Sequence, residues 1–172
     1  MDILIRKATT HDAEYISLLG RITFDETFGH LFEDRKDLLS YFENTFSVPK
    51  ITSSLSKKEN VFWIAFANQL PVGYAKLKID SPLDDFPNHK TSQLQKIYVL
   101  KDFLALKIGA KLQEELFKEV RKINSEVLWL AILYTNLRAI NFYQKYGFKK
   151  SSKYYHSIGK ENFEFDVMIK EF

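Results

Sequence analysis

The sequence predicts one α/β domain spanning residues 1–172, with helices on both faces of a mixed, mostly antiparallel sheet of about six or seven strands. Three observations support this prediction. Apolar runs of strand length alternate with segments of helical periodicity. The run 127–134 is apolar throughout, which is typical of a strand covered by helices on both faces. A chain of 172 residues with 45% hydrophobic residues is sufficient for one sizeable core.

The amino-terminal third predicts one strand followed by helices. Residues 3–8 are expected to form a first strand, and Thr10 is expected to cap a helix that continues to about Phe28. Asp34 can cap a second, amphipathic helix. Pro49 either closes that segment or starts a third short helix.

The central third predicts a hairpin, a loop and a further strand. Residues 61–67 and 72–79 are rich in residues that favour strands, and the four residues between them are typical of a hairpin turn. Residues 81–90 contain two prolines and several polar residues, so we expect a loop there. The next strand covers 94–99.

The carboxy-terminal part predicts two helices around a buried strand, then a closing hairpin. Apolar positions recur with helical period over about 106–123, and 127–133 is the buried strand. A short helix carrying Tyr143 follows. The segments 150–156 and 161–169 are expected to pair as antiparallel strands.

Composition excludes several kinds of chemistry. The chain has no cysteine, so disulfides, thiolate nucleophiles and thiolate metal sites are absent. The four histidines are scattered without metal-ligand spacing, so we expect no metal. A net charge of +3 with dispersed lysines gives little support for nucleic-acid binding, but a basic surface suits an anionic ligand.

The apolar runs are far shorter than the roughly 20 residues that span a bilayer, and the amino terminus lacks a signal-peptide pattern. We therefore expect a cytoplasmic protein that does not associate with membranes. An edge strand could pair two chains, so a homodimer remains open.

The residues Asn136 to Phe148, with Tyr143 on a helix that ends at Gly147, resemble the acyl-CoA core of the GNAT N-acetyltransferase superfamily, as does the strand 94–99 with the turn 104–110 after it. Within the superfamily, the chain is most similar to the PaiA-type spermidine/spermine acetyltransferases. This second resemblance lies in four stretches, which are Ile22 to Phe28, Gly73 to Leu77, Gln95 to Val99 and Gly159 to Lys170.

The resemblance implies acetyl-CoA as acyl donor. It implies that backbone groups of Ile97, Tyr98 and Val99 pair with the pantetheine arm, and an N–H near Val99 would polarise the thioester carbonyl. A turn that opens a helix also points several N–H groups at one spot, where a pyrophosphate can bind. The residues predicted to form that site are Ala105, Lys107, Ile108, Gly109 and Ala110.

The turn matches the family pattern only in part. Lys107 stands where the family has its first motif glycine, and Leu104 stands where it has Gln or Arg. Because backbone amides bind the phosphates, the replacement is tolerable if Lys107 keeps a negative φ, and its ammonium could add a phosphate contact. The alternative is an ordinary helix start with a solvated lysine.

Tyr143 is the predicted general acid. A phenol with a pKa near about 10 can protonate a leaving thiolate in a dry site. An isolated helical tyrosine is usually a packing residue, and the resemblance favours the catalytic role. Asn136 is expected to cap the same helix, and the family implies that its side chain also contacts the CoA arm.

The sequence leaves the general base and the acceptor open. Gln95 occupies a position where many relatives carry glutamate, and an amide cannot accept the proton. The resemblance implies a small primary amine as acceptor, a polyamine above all, and carboxylates would bind its ammonium groups. The candidates are Asp25, Glu26, Glu33 and Asp34. Each is also explained as a solvated acid near a helix end.

Two other functions remain possible. The same core could acetylate a peptide α-amine or lysine, or it could bind CoA as a regulatory module without turnover.

Overall fold

A computed structural model describes all 172 residues. Seven strands form one sheet, namely β1 (Ile3–Lys7), β2 (Asn60–Ala67), β3 (Leu70–Lys78), β4 (Thr91–Val99), β5 (Val127–Leu133), β6 (Lys149–Ile158) and β7 (Glu161–Glu171). Five α-helices accompany it, namely α1 (Ala13–Phe28), α2 (Arg35–Phe46), α3 (Val48–Leu55), α4 (Ile108–Lys122) and α5 (Leu137–Lys145). Short 3₁₀ helices precede α1 (Thr10–Asp12), follow α1 (Gly29–Leu31) and precede α4 (Lys101–Leu106).

The strand order is β1-β2-β3-β4-β5-β7-β6, and β4–β5 is the only parallel pair. The predicted fold class, a mixed and mostly antiparallel sheet between helices, is therefore confirmed. The β2–β3 hairpin is tight because Asn68 and Gln69 both adopt positive φ, which is the backbone of a two-residue turn that follows the twist of the strands.

Two apolar clusters cover the two faces of the sheet. One contains α4, α5 and the sheet residues that face them, such as Ala75, Leu94 and Leu130. The other contains α1 to α3 and the opposite side chains, such as Ile64 and Tyr74. This alternation along β2 and β3 follows from the two-residue period of a strand.

Several predicted boundaries were wrong. Thr9 rather than Thr10 caps the first helical segment, because the Asp12 carboxylate accepts a hydrogen bond from the Thr9 N–H at 2.8 Å and reciprocates the cap. A 3₁₀ turn therefore comes first and α1 begins at Ala13. The helix predicted from 106 begins at Ile108, and β4 begins at Thr91 rather than 94.

The predicted cap of the second helix is confirmed, since the Asp34 carboxylate accepts from the Lys36 N–H at 2.9 Å. Pro49 lies in the first turn of α3 and so starts a third helix, the second of the two alternatives. No helix is both long enough and apolar enough to cross a membrane.

Candidate active site

The site originates where two neighbouring strands separate. β4 and β5 pair only over Thr91–Gln93 with Val127–Trp129. Just beyond this, Leu94 pairs with Leu77 and Lys96 with Lys76, so Gln95 is an extra residue on β4. Such a bulge bends a strand and increases its twist. β4 therefore diverges from β5 and opens a gap in the middle of the sheet.

A cavity of about 650 Å³ occupies this gap, and we call it the central cavity. Its walls come from the separated parts of β4 and β5, the turn before α4, the first turn of α4, one side of α5, and the end of α1. The lining is mixed in character. Apolar residues of β5 and α5 form one side, and charged side chains lie along the rest.

The backbone of β4 turns free polar groups toward the cavity. The Leu100 N–H donates to the Val72 carbonyl at 2.9 Å, while Gly73 lies opposite Val99. Because bonded and non-bonded pairs alternate in antiparallel sheets, Val99 and Ile97 belong to the non-bonded pairs. Their N–H and C=O groups therefore point away from β3 into the gap. The backbone groups of Tyr98 instead face β3.

The turn before α4 leaves three more amides free. Lys111 is the first residue of α4 whose N–H bonds within the helix, to the Lys107 carbonyl at 3.3 Å. The N–H groups of Ile108, Gly109 and Ala110 therefore have no helical partner and lie at the positive end of the helix dipole. Three such amides form an anion-binding site for phosphate.

The expectation of a negative φ at Lys107 was wrong. Lys107 has φ 56° and ψ 25°, in the left-handed region. The chain has to reverse there between a 3₁₀ turn and α4, and this reversal explains why the family has glycine at this position. A non-glycine residue in this conformation costs about 1–2 kcal/mol.

Tyr143 lies on α5 beside the cavity. Its ring packs between Phe142 and Phe148, with centroid distances of 5.2 and 5.4 Å. The side chain is 7% exposed and its hydroxyl has no hydrogen-bond partner within the chain. Burial raises the pKa of Tyr143 well above its usual value, so the phenol keeps its proton through the neutral range. Gly147, at φ 90°, ends the helix.

A cavity between splayed strands, with free amides at one end and a protonated phenol at its side, is suited to acyl transfer from a thioester. Residues 23–148 match the Acetyltransferase (GNAT) family. The chain belongs to this family. It is an acetyl-CoA-dependent N-acetyltransferase.

Relatives and solved structures agree with this assignment. The chain is 25% identical to an uncharacterized N-acetyltransferase from Lactobacillus delbrueckii subsp. lactis, over 92% of this chain and 90% of the relative. It is 26% identical to an N-alpha-acetyltransferase of Sulfurisphaera tokodaii, over 91% and 87%. Its fold is similar to that of the PaiA N-acetyltransferase of Thermoplasma acidophilum in complex with coenzyme A, with a TM-score of 0.80, 23% identity and full coverage of both chains.

Most of the predicted cofactor residues line the central cavity. The side of the cavity near the turn is lined by Lys107, Gly109 and Ala110, and β4 contributes Ile97, Tyr98 and Val99. Ala105 is exposed and outside the lining, and the Ile108 side chain is buried in the core. Ile108 can therefore serve the cofactor only through its N–H group.

Asn136 has a structural role, and its geometry leaves room for a second one. Its Oδ1 accepts a hydrogen bond from the Ala139 N–H at 3.3 Å, which caps α5. Its Nδ2 has no partner in the chain, and the residue lines the central cavity. That nitrogen is available to a carbonyl of the pantetheine arm.

The sequence analysis missed four basic residues of the cavity wall, which are Lys96, Lys101, Arg138 and Lys145. For two of them a signal existed, because Arg138, Phe142 and Lys145 recur at i, i+4 and i+7 and so share one face of α5. Together with Lys107 they make the cavity wall basic, which suits an anionic ligand. The fit of acetyl-CoA thus rests on free amides, basic side chains and an apolar wall.

Among the four predicted acceptor acids, only Glu26 lines the cavity. Its Oε2 accepts from the Lys101 N–H at 3.1 Å. Asp25 forms a two-pronged ion pair with Arg35 at 2.9 and 3.0 Å, and these hydrogen bonds lower the pKa of Asp25. Asp34 caps α2, and Glu33 is exposed on the loop between α1 and α2.

Gln95 has a side-chain amide, which cannot accept a proton at neutral pH. It lines the cavity, and its Nε2 donates to Gln93 Oε1 at 3.0 Å. No group of three or more His, Cys, Asp or Glu side chains is close enough to hold a metal ion.

Proposed function

We propose that this acetyltransferase modifies a small primary amine, with a polyamine such as spermidine or spermine as the leading acceptor class, by direct attack within a ternary complex. One observation carries the proposal. The free amides of α4, the Tyr143 side chain and the carboxylate-bearing Glu26 all line a single continuous cavity. Donor and acceptor can therefore meet without a covalent enzyme intermediate, for which the chain has no cysteine.

In this reaction Tyr143 acts as general acid. The backbone N–H of Val99 polarises the thioester carbonyl, and the amine nitrogen attacks the carbonyl carbon. As the carbon–sulfur bond breaks, the Tyr143 hydroxyl protonates the departing sulfur. The raised pKa of Tyr143 keeps that hydroxyl protonated until it is needed.

Two features support a polyamine as the acceptor. Glu26 is the only acid of the cavity lining, and the aromatic residues Phe28, Tyr98 and Phe165 line the same cavity. A carboxylate and aromatic faces are the groups that bind separated ammonium ions. The fold similarity to a PaiA N-acetyltransferase points in the same direction.

A second acceptor class is a protein or peptide α-amine. The relative from Sulfurisphaera tokodaii is an N-alpha-acetyltransferase, and a ribosomal-protein-alanine N-acetyltransferase from Brucella melitensis has a similar fold, with a TM-score of 0.70. The basic lining, with five Lys or Arg residues against one Glu, also suits an acceptor that carries less positive charge than a polyamine.

An amine panel tests the proposal. Thiol release from acetyl-CoA is measured with spermidine, spermine, a simple alkyl monoamine and short peptides with free amino termini. The polyamine assignment requires the highest kcat/KM for spermidine or spermine. Turnover of peptides with none of the polyamines would replace it with the α-amine assignment.

The variant Glu26→Gln tests the role of the carboxylate. Glutamine retains an oxygen to accept from the Lys101 N–H, so the loop stays in place and only the charge is lost. We expect KM for spermidine to rise by roughly tenfold, in keeping with a charged hydrogen bond of about 1.5 kcal/mol. Asp25→Asn is the matched control, because Asp25 is paired with Arg35 outside the cavity. An equal effect of both variants would contradict a specific role for Glu26.

A further inference from the structure

Lys96 is a lysine in an unusual position. It follows the bulge residue Gln95 on β4, and its side chain lies on the sheet face covered by α1 to α3. The ammonium nitrogen is 5.2 Å from the ring centroid of Phe46 and 5.6 Å from that of Tyr98. Lys96 also lines the central cavity, together with Tyr143 and Glu26.

No acid neutralises Lys96. Its nitrogen forms no ion pair and no hydrogen bond within the chain, and it lies over the two aromatic rings. The titratable groups around it are Lys76 and Tyr74 on β3, Tyr98 on β4, Tyr41 on α2, and Glu26 across the central cavity. Burial lowers the pKa of Lys96 to about 8, so about a tenth of the molecules carry a free lone pair there at pH 7 and about half at pH 8.

We propose that Lys96 is the general base of the acetyl transfer, accepting the proton that the acceptor ammonium must lose before its nitrogen can attack. The proposal rests on the transfer of an acetyl group to an amine and holds for either acceptor class. It provides the proton acceptor that Gln95 cannot be.

The protons balance through two side chains. Neutral Lys96 takes one proton from the ammonium of the acceptor, and the freed amine forms the new carbon–nitrogen bond. Collapse of the tetrahedral intermediate breaks the carbon–sulfur bond, and the Tyr143 hydroxyl protonates the sulfur. The nitrogen of the new amide then gives its extra proton to the Tyr143 phenolate, which restores the phenol. Lys96 returns its proton to water through the cavity opening.

A cationic acceptor favours this protonation state. An ammonium entering the cavity repels a charged Lys96, since like charges nearby disfavour the protonated form. Binding of the acceptor therefore promotes the neutral lysine that is needed to deprotonate it.

Lys76 provides a matched control. It lies directly opposite Lys96 on β3, and its pKa is also lowered to about 8, by burial first and then by Lys96. It lines only a neighbouring cavity of about 70 Å³ that Lys96 also borders, and it is absent from the wall of the central cavity. The two lysines share an environment, but of the two only Lys96 is among the residues that line the central cavity.

The kinetic test is the pH profile of kcat/KM with the best alkylamine acceptor of the panel. The wild type should rise through about pH 8 and reach a plateau. Lys96→Met should lower kcat/KM at pH 8 by about 100-fold, and its profile should rise only with the pKa of the acceptor, near about 10. Lys96→Arg, which keeps the charge but cannot act as base, should behave in the same way.

In Lys76→Met, the rise of kcat/KM with pH (the limb of the profile) should keep its midpoint within about half a pH unit of the wild-type value. A Lys96→Met enzyme that retains the limb near pH 8, or a Lys96→Arg enzyme with wild-type activity, overturns the proposal.

A second measurement needs no acceptor. The wild-type protein with ¹³C-labelled lysine is titrated by NMR with CoA bound, and the Lys96 ε-carbon is assigned by its loss in Lys96→Arg. A midpoint near pH 8 supports the proposal. A midpoint at the ordinary lysine value of about 10.4 overturns it. Failure of the amine panel would leave this result unchanged, so the two proposals fail separately.

Discussion

The two faces of the sheet differ in what they bury. The face under α4 and α5 is mainly aliphatic, and only four of its 19 buried residues are aromatic, Trp63, Phe117, Tyr143 and Phe148. The face under α1 to α3 has seven aromatic residues among 15, which are Phe24, Phe28, Phe42, Phe46, Phe62, Tyr74 and Phe163. The two lysines whose pKa is lowered by burial, Lys76 and Lys96, lie against rings of this second face.

The two faces therefore contribute to different parts of the site. The aliphatic face fixes α4, whose free amides can hold the cofactor with backbone groups alone. In the proposed mechanism the acceptor enters on the aromatic face, and there side chains decide which groups are charged. Backbone binding tolerates changes of sequence, so we expect donor use to be robust and acceptor choice to depend on single side chains.

The largest expected effect is that of Tyr143→Phe, which removes the proton donor. We expect kcat to fall by a factor of about 10² to 10⁴ across the neutral range, because the thiolate then leaves unprotonated. Tyr146→Phe is the matched control, since Tyr146 directly follows the same helix and its ring packs on Phe142 at 5.0 Å. The steady-state rate of thiol release measures kcat for both variants. Full turnover by Tyr143→Phe at every pH would remove the general acid from the mechanism.

Core substitutions on the two faces should separate effects on the free energy of unfolding from effects on the pH profile of kcat/KM. Leu116→Ala, on the aliphatic face, should lower the free energy of unfolding by about 2–5 kcal/mol and leave the limb of the pH profile near 8 in place. Phe46→Leu should also destabilise. It should in addition move the limb upward, because the Phe46 ring is among the groups that keep water from Lys96.

Chemical denaturation gives the unfolding free energies, and kcat/KM against pH gives the limb. Equal shifts of the limb in both variants would mean that the two faces do not differ in the proposed way.

A smaller effect is expected from Lys76→Met. The pKa of Lys76 in the folded protein is about 8, against an ordinary 10.5. Between these values the unfolded chain binds more protons than the folded one, so stability rises with pH across that window. Below about pH 8 the folded protein bears the full cost of the buried charge. Lys76→Met should therefore raise Tm by a few degrees at pH 7 and flatten the rise between pH 8 and 10.5.

Thermal unfolding at a series of pH values measures this effect. Lys78→Met, on the same strand, is the control for loss of a lysine. If Lys76→Met lowered Tm at pH 7, the burial of an uncompensated charge would be the wrong description of this site.

The smallest effect concerns Lys107. Lys107→Gly should stabilise the protein by up to about 1 kcal/mol, because glycine adopts the left-handed conformation without steric cost. If the amides carry the phosphate binding, the affinity for CoA should change by less than about fivefold. Lys107→Ala removes the same charge but keeps the strain, so it separates the two contributions. Calorimetric titration with CoA measures both, and a much larger loss in both variants would assign the binding to the lysine side chain.

The features that could be predicted from the sequence are those with signals in neighbouring residues. The helix of Tyr143 was predictable because Asn136 caps it and Gly147 ends it, and both signals lie within a dozen residues. The buried strand β5 was predictable from its unbroken apolar run. Positions that depend on distant partners were harder. Glu26 could not be distinguished from Asp25 until Arg35, ten residues away, was seen to pair with the latter.

The sequence by itself determined the strands, the helices and the mixed α/β architecture, because periodicity, caps and turns are encoded in neighbouring residues. The choice of Tyr143 came from the resemblance to a known family. Only the tertiary structure decided that Gln95 bulges out of β4, that the strand then parts from β5, and that Lys96 lies uncompensated against Phe46 and Tyr98. These features depend on cross-strand register and on burial by remote helices. The proton affinity of a side chain is set by that environment, and no local pattern records it.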